Sequence, residues 1–72
     1  MNNLNVAKIQ LNGDPYEVIN GTNLNELLNK LKLQKNKIAI EVNGEIIEKS
    51  KYPNLILRRD EKVEIVHFIG GG

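Results

Sequence analysis

The sequence predicts an α+β domain in which a mixed sheet of four to five strands carries one main helix packed on one face. Three observations point to it. Apolar and polar residues alternate in several separate stretches, the period of half-buried strands. A single stretch switches to the 3.6-residue period of a helix. Asn-Gly pairs, which favour tight turns, punctuate the joins.

In residues 7–12, Ala7, Ile9 and Leu11 alternate with Lys8, Gln10 and Asn12, which predicts a first strand. The turn "NGDP" follows at residues 12–15. Its Asn-Gly pair accepts positive φ at low cost, and Pro15 is expected to stay out of the ladder, so the second strand is placed at residues 16–19. In "NGTNLNELLNKLKL", Leu24, Leu27, Leu28 and Leu31 fall at i, i+3, i+4 and i+7, one stripe of a helix facing the sheet. Thr22 or Asn23 caps it, and Asn23 with Glu26 has the spacing of a capping box. After "QKNK", Ile38, Ile40 and Val42 alternate with polar residues as a third strand, and Asn43-Gly44 marks a turn. "EIIEKSKYPNLIL" is less regular: Ile46 and Ile47 predict a short edge strand, and Pro53 is excluded from a central one. Residues 63–69 form a β-branched last strand. A lone helix with an apolar stripe needs a sheet to cover, and the sheet needs the helix. The simplest solution is a two-layer roll of the ubiquitin-like β-grasp plan, with the first and last strands side by side at the sheet's centre. The domain is expected over residues 1–69, with residues 70–72 as a flexible glycine tail.

Composition narrows the function. Seventy-two residues make one domain with a small core. Without cysteine there is no disulfide, zinc knuckle or thiol nucleophile, and a cytoplasmic setting is expected. Ten basic against nine acidic residues, interspersed, argue against a nucleic-acid stripe or a membrane-surface helix. "MNNLNVAKIQ" has no basic-then-apolar leader pattern, and no apolar run approaches the ~20 residues that span a bilayer.

The catalytic inventory is nearly empty. His67 is the only histidine and Ser50 the only serine, so no Ser-His-Asp or Cys-His arrangement can be assembled, and no cluster has metal-ligand spacing. Asp60 and Glu61 in "RRDEK" read as a solvated turn, as do Arg58 and Arg59. No phosphate-binding glycine spacing occurs. The protein is expected to be neither an enzyme nor a cofactor binder.

One reactive group remains, the terminal carboxylate behind "HFIGGG". Gly70, Gly71 and Gly72 lack a Cβ, so they can thread a narrow channel and leave the last carbonyl carbon open to a nucleophile. If Val63 and Ile65 face the core, strand parity sends Val66 and Phe68 to the opposite face beside the tail. That pair reads as a docking patch, while a second buried layer would explain the same residues. The same parity makes His67 a partly covered residue at the sheet edge.

"IAIEVNGEIIEKSKY" followed by "LILRRDEKVEIVHFIGGG" resembles the ThiS family, the ubiquitin-like sulfur carriers of thiamine biosynthesis. "VNGEII" is similar to the family's strand-turn-strand, "KVEIV" to its last strand, "GTNLNELL" to its helix start, and the final Gly-Gly to its reactive end. The chain departs from the family pattern at Glu61, usually glycine, at Glu48, often proline, and at Tyr52, frequently tryptophan. The resemblance implies a carrier. An E1-like, ThiF-like adenylyltransferase would use ATP and magnesium to adenylate Gly72, and a persulfide would convert the adenylate to a thiocarboxylate. A ThiG-like thiazole synthase would then take the sulfur. Gly70 and Gly71 would thread into partner sites, with Phe68 and Val66 in contact with both partners. Kept beside this reading are the small subunit of molybdopterin synthase, a ubiquitin-like protein modifier, and an interaction domain with an idle tail.

Overall fold

The computed structural model describes residues 5–68. Its elements run β1 (Val6–Leu11), β2 (Asp14–Ile19), α1 (Leu24–Leu31), β3 (Ile38–Val42), β4 (Glu45–Ile46) and β5 (Lys62–His67), with 3-10 turns at Lys35–Lys37 and Lys49–Asn54. The sheet order is β2-β1-β5-β3-β4. β1 and β5 are parallel at its centre, and the other neighbours are antiparallel. The five strands fall within the expected four to five, and the first and last strands pair as expected.

The β1–β2 turn works because Asn12 and Gly13 both take positive φ, 50° and 87°, the twist that a two-residue hairpin loop needs. Contrary to expectation, β2 includes Pro15, which lies opposite Gln10 in the register. Even-numbered β2 residues turn their main chain toward β1, so the missing Pro15 N–H points to the open edge, where no ladder bond is lost. The same edge is blunted by Lys30, whose Nζ donates to the Glu17 carbonyl at 3.3 Å and lies 5.0 Å from the centre of the Tyr16 ring.

α1 begins with the predicted capping box. The Glu26 N–H donates to Asn23 Oδ1 at 2.8 Å, and the Asn23 N–H donates to Glu26 Oε1 at 3.0 Å. The helix ends at Lys32, in left-handed backbone. Leu24, Leu27 and Leu28 are buried and Leu31 partly so, the stripe that periodicity marks. Opposite them lie Ala7 and Ile9 of β1, Val18 of β2, Ile38, Ile40 and Val42 of β3, and Val63 and Ile65 of β5. Burying each aliphatic side chain of this kind contributes about 1.5–3 kcal/mol.

The irregular stretch hides the largest fully buried side chain, Tyr52. The 3-10 turn Lys49–Asn54 folds it inward, and the next residues clamp the helix start: the Leu57 N–H donates to Thr22 O at 2.8 Å and the Leu24 N–H to Leu55 O at 3.2 Å. The Tyr52 hydroxyl is buried beside the Ile40 main chain without a hydrogen bond of good geometry. Burial pushes its pKa above the ordinary phenol value, an effect partly offset by that Ile40 main chain.

Tyr52→Ala is expected to cost about 3–5 kcal/mol, a loss this small core cannot absorb, whereas Tyr52→Phe, which removes only an unpartnered hydroxyl, should be neutral or slightly stabilising at pH 7. The raised phenol pKa means that the unfolded chain ionises first. Stability from this group is therefore full below pH ~10 and lost as pH rises toward the folded-state pKa. Urea unfolding at pH 7 and at pH 11 checks both points: the wild type should lose more stability across that interval than Tyr52→Phe.

Candidate functional site

β5 is the last described element, and its end carries the residues expected to dock. Glu64 and Val66 pair with Glu41 and Ala39 of β3, and the Phe68 N–H donates to Lys37 O at 2.9 Å, so even-numbered residues here turn their main chain toward β3. Odd-numbered residues turn theirs toward β1. The Gln10 N–H donates to Glu61 O and the Asn12 N–H to Val63 O, both at 2.9 Å. There β1 ends. The next donor, the Ile65 N–H, is taken by the Asn12 side chain, Oδ1 at 2.8 Å, because the turn has carried the Asn12 carbonyl away. β5 thus overruns β1 and continues with β3 alone on one side.

Val66 and Phe68 lie on the solvent side of this overhang, 51% and 57% exposed. A second buried layer is therefore excluded for these two residues among the described ones. Lys49 steadies Phe68: its Nζ lies 5.4 Å from the ring centre while donating to Ile38 O at 2.9 Å. One side chain thereby closes the β3 edge beyond β4 and holds the aromatic ring at the exit. His67 falls among the exposed residues. It points to the inner side, but the core layer ends with Ile65, and His67 stands past the last residue of β1. Gly70, Gly71 and Gly72, the residues expected to react and to thread, lie outside the described residues.

The loop before β5 is a solvated turn. Arg59 Nε sits 4.0 Å from Asp60 Oδ2 with both side chains largely in water, a contact of little energetic weight. Asp60 takes the left-handed backbone, φ 71°, and the Glu61 side chain accepts the Arg58 N–H at 2.8 Å, which ties the turn together. Among the described residues no group of three His, Cys, Asp or Glu gathers to hold a metal, and no helix is long and apolar enough to cross a membrane. Sequence reasoning missed Lys49 and the Asn12 cap. Neither leaves a periodic signal, since each acts through a contact made only in the folded chain.

A five-stranded mixed sheet wrapped over one helix, with its last strand central and running out past its neighbour, defines a ubiquitin-like β-grasp domain. The ThiS thiamine biosynthesis protein of Geobacter metallireducens, solved as a crystal structure, superposes with a TM-score of 0.78 at 32% identity, covering 90% of this chain and 99% of that one. Residues 9–72 match the model of the ThiS family. The sulfur carrier protein ThiS of Bacillus subtilis is 37% identical over 65 residues, 89% of this chain and 98% of that protein. A thiazole synthase of Magnetococcus marinus is 42% identical over 65 residues, 90% of this chain, which spans only 20% of that enzyme. The chain belongs to the ThiS family.

Lys49→Met is expected to lower stability by about 1–2 kcal/mol, through loss of a charged hydrogen bond and the ring contact, and Lys49→Arg should recover part of it. Denaturant unfolding of the three proteins checks this.

Proposed function

We propose that this chain is a sulfur carrier of thiamine biosynthesis whose Gly72 carboxylate is activated and loaded by other proteins. The observation that supports it most directly is the family match, which runs through the glycine run to residue 72. The chemistry is that of acyl activation. A Gly72 carboxylate oxygen attacks the α-phosphorus of ATP on an E1-like adenylyltransferase, with magnesium on the phosphates, and pyrophosphate leaves. A persulfide sulfur then attacks the acyl carbon, AMP leaves, and a thiol cleaves the acyl disulfide to free the thiocarboxylate. Sulfur is the softer nucleophile, so the loaded end can deliver it to an electrophilic carbon of a thiazole precursor.

The carrier's own residues do no bond chemistry in this scheme. Gly70 and Gly71 give the end a slim profile, and Val66 and Phe68 supply exposed apolar contact where the tail leaves the sheet. That a thiazole synthase contains a stretch similar to this chain within its own sequence supports such a synthase as the recipient of the sulfur. The same reading places the carrier in the cytoplasm.

Incubation with an E1-like adenylyltransferase, ATP, magnesium and a persulfide donor should raise the intact mass by ~16 Da, one oxygen replaced by sulfur, with the change in the C-terminal peptide. Deletion of Gly71 and Gly72 should abolish the gain. Phe68→Ala should weaken loading about ten-fold at low carrier concentration, as expected for loss of an interfacial aromatic ring. No mass gain on the wild-type chain would sink the reading, and covalent adducts on lysines of other proteins would replace it with a modifier.

A further inference from the structure

We infer that the open edge of β5 at residues 65–67 receives an extended segment of the thiazole synthase, which adds a strand to the sheet beside the point where the tail emerges. This rests on the recipient named above and goes beyond it in specifying how the two proteins meet.

The edge is defined by unused main-chain groups. Past the Asn12 cap, the Ile65 carbonyl and both the N–H and the carbonyl of His67 turn toward the side that β1 has vacated, and none has a hydrogen-bond partner among the described residues. An antiparallel visitor would exchange two hydrogen bonds with His67 and give a third to the Ile65 carbonyl, the pattern of strand addition at a sheet edge.

Elsewhere some edge positions are blunted. On β2 the outward Glu17 carbonyl accepts from Lys30 and Pro15 has no N–H to offer, and on β3 beyond β4 the Ile38 carbonyl accepts from Lys49.

The surroundings specify the visitor. On the outer face Val66 and Phe68 offer apolar surface on the same overhang. Two residues back, the Glu64 and Glu41 side chains stand opposite each other across the β5–β3 pair, and neither has a cation within ion-pair distance among the described residues. Like charges directly opposed in a sheet repel, and a Lys or Arg on an incoming segment would relieve that repulsion. The fitting segment is therefore extended, with an apolar residue facing Val66 or Phe68 and a basic one facing Glu64.

The test isolates the main-chain donor. His67→Pro deletes an N–H that no bond among the described residues uses, and the extended backbone of Val66 suits a residue before proline, so folding should survive. His67→Ala deletes the imidazole and keeps the N–H. Full-length wild type, His67→Pro and His67→Ala are titrated by calorimetry into a thiazole synthase that has no carrier-like stretch of its own, with circular dichroism confirming the fold. His67→Pro should bind at least ten-fold more weakly than His67→Ala, and Glu64→Lys should also weaken binding. Equal affinity of the proline and alanine variants would overturn the edge contact while leaving the carrier reading standing. Failure of the wild-type chain to bind at all would overturn the synthase as recipient, and this inference with it. Sedimentation showing a wild-type dimer that His67→Pro disperses would give the edge to a second copy and overturn the proposal.

Discussion

The parallel pairing of β1 with β5 is the constraint on which the rest of the molecule depends. It joins residues more than fifty positions apart, and it puts the last strand between two neighbours, where Val63 and Ile65 complete the surface on which α1 packs. A parallel pair needs a crossover, and here the crossover includes α1 and β3, so every other element is committed once β5 is in place. In a chain of 72 residues, with so little surface to bury, a central last strand makes the final turn of sequence indispensable to the core.

That topology also separates two duties along one strand. Up to Ile65, alternate residues of β5 are core. From Val66 onward the described residues face water, with only β3 and Lys49 beside them. The division falls where β1 stops, and Asn12 marks it by giving its side chain, in place of its carbonyl, to the Ile65 N–H.

Much of this was legible in the sequence, for reasons that differ by residue. Leu24, Leu27 and Leu28 could be read because a helix repeats its burial every three to four positions, and Ile38, Ile40 and Val42 because a strand repeats it every two. The Asn23–Glu26 box is a local bond and shows in local spacing. Tyr52 could not be read: a 3-10 turn has no burial period of its own, and what draws the ring inward is the space left by other elements. Pro15 was misplaced because the sequence shows that its N–H is missing but not on which side of the strand the gap falls. Val66 and Phe68 were placed correctly by parity. His67 has the parity of the core residues and is nevertheless exposed, since parity gives the face of a sheet but not where the covering layer stops.

The covalent geometry of the last residues makes the surface around β5 matter whichever enzyme the carrier meets. Four residue steps lead from Phe68 to Gly72, and fully extended they reach about 14 Å. On the proposed function, an active site that acts on Gly72 comes within that distance of Phe68, and the rest of that enzyme's surface then lies near the end of the sheet. Glycines bring slimness at an entropic cost, because ordering them in a channel removes more backbone freedom than ordering any other residue. A tail of this composition binds poorly by itself, and the compensating energy must come from groups already held in place. Phe68, fixed by Lys49 and by its bond to Lys37, and the unspent main chain of His67 are such groups, and they stand at the base of the tail, where they are rigid before the partner arrives.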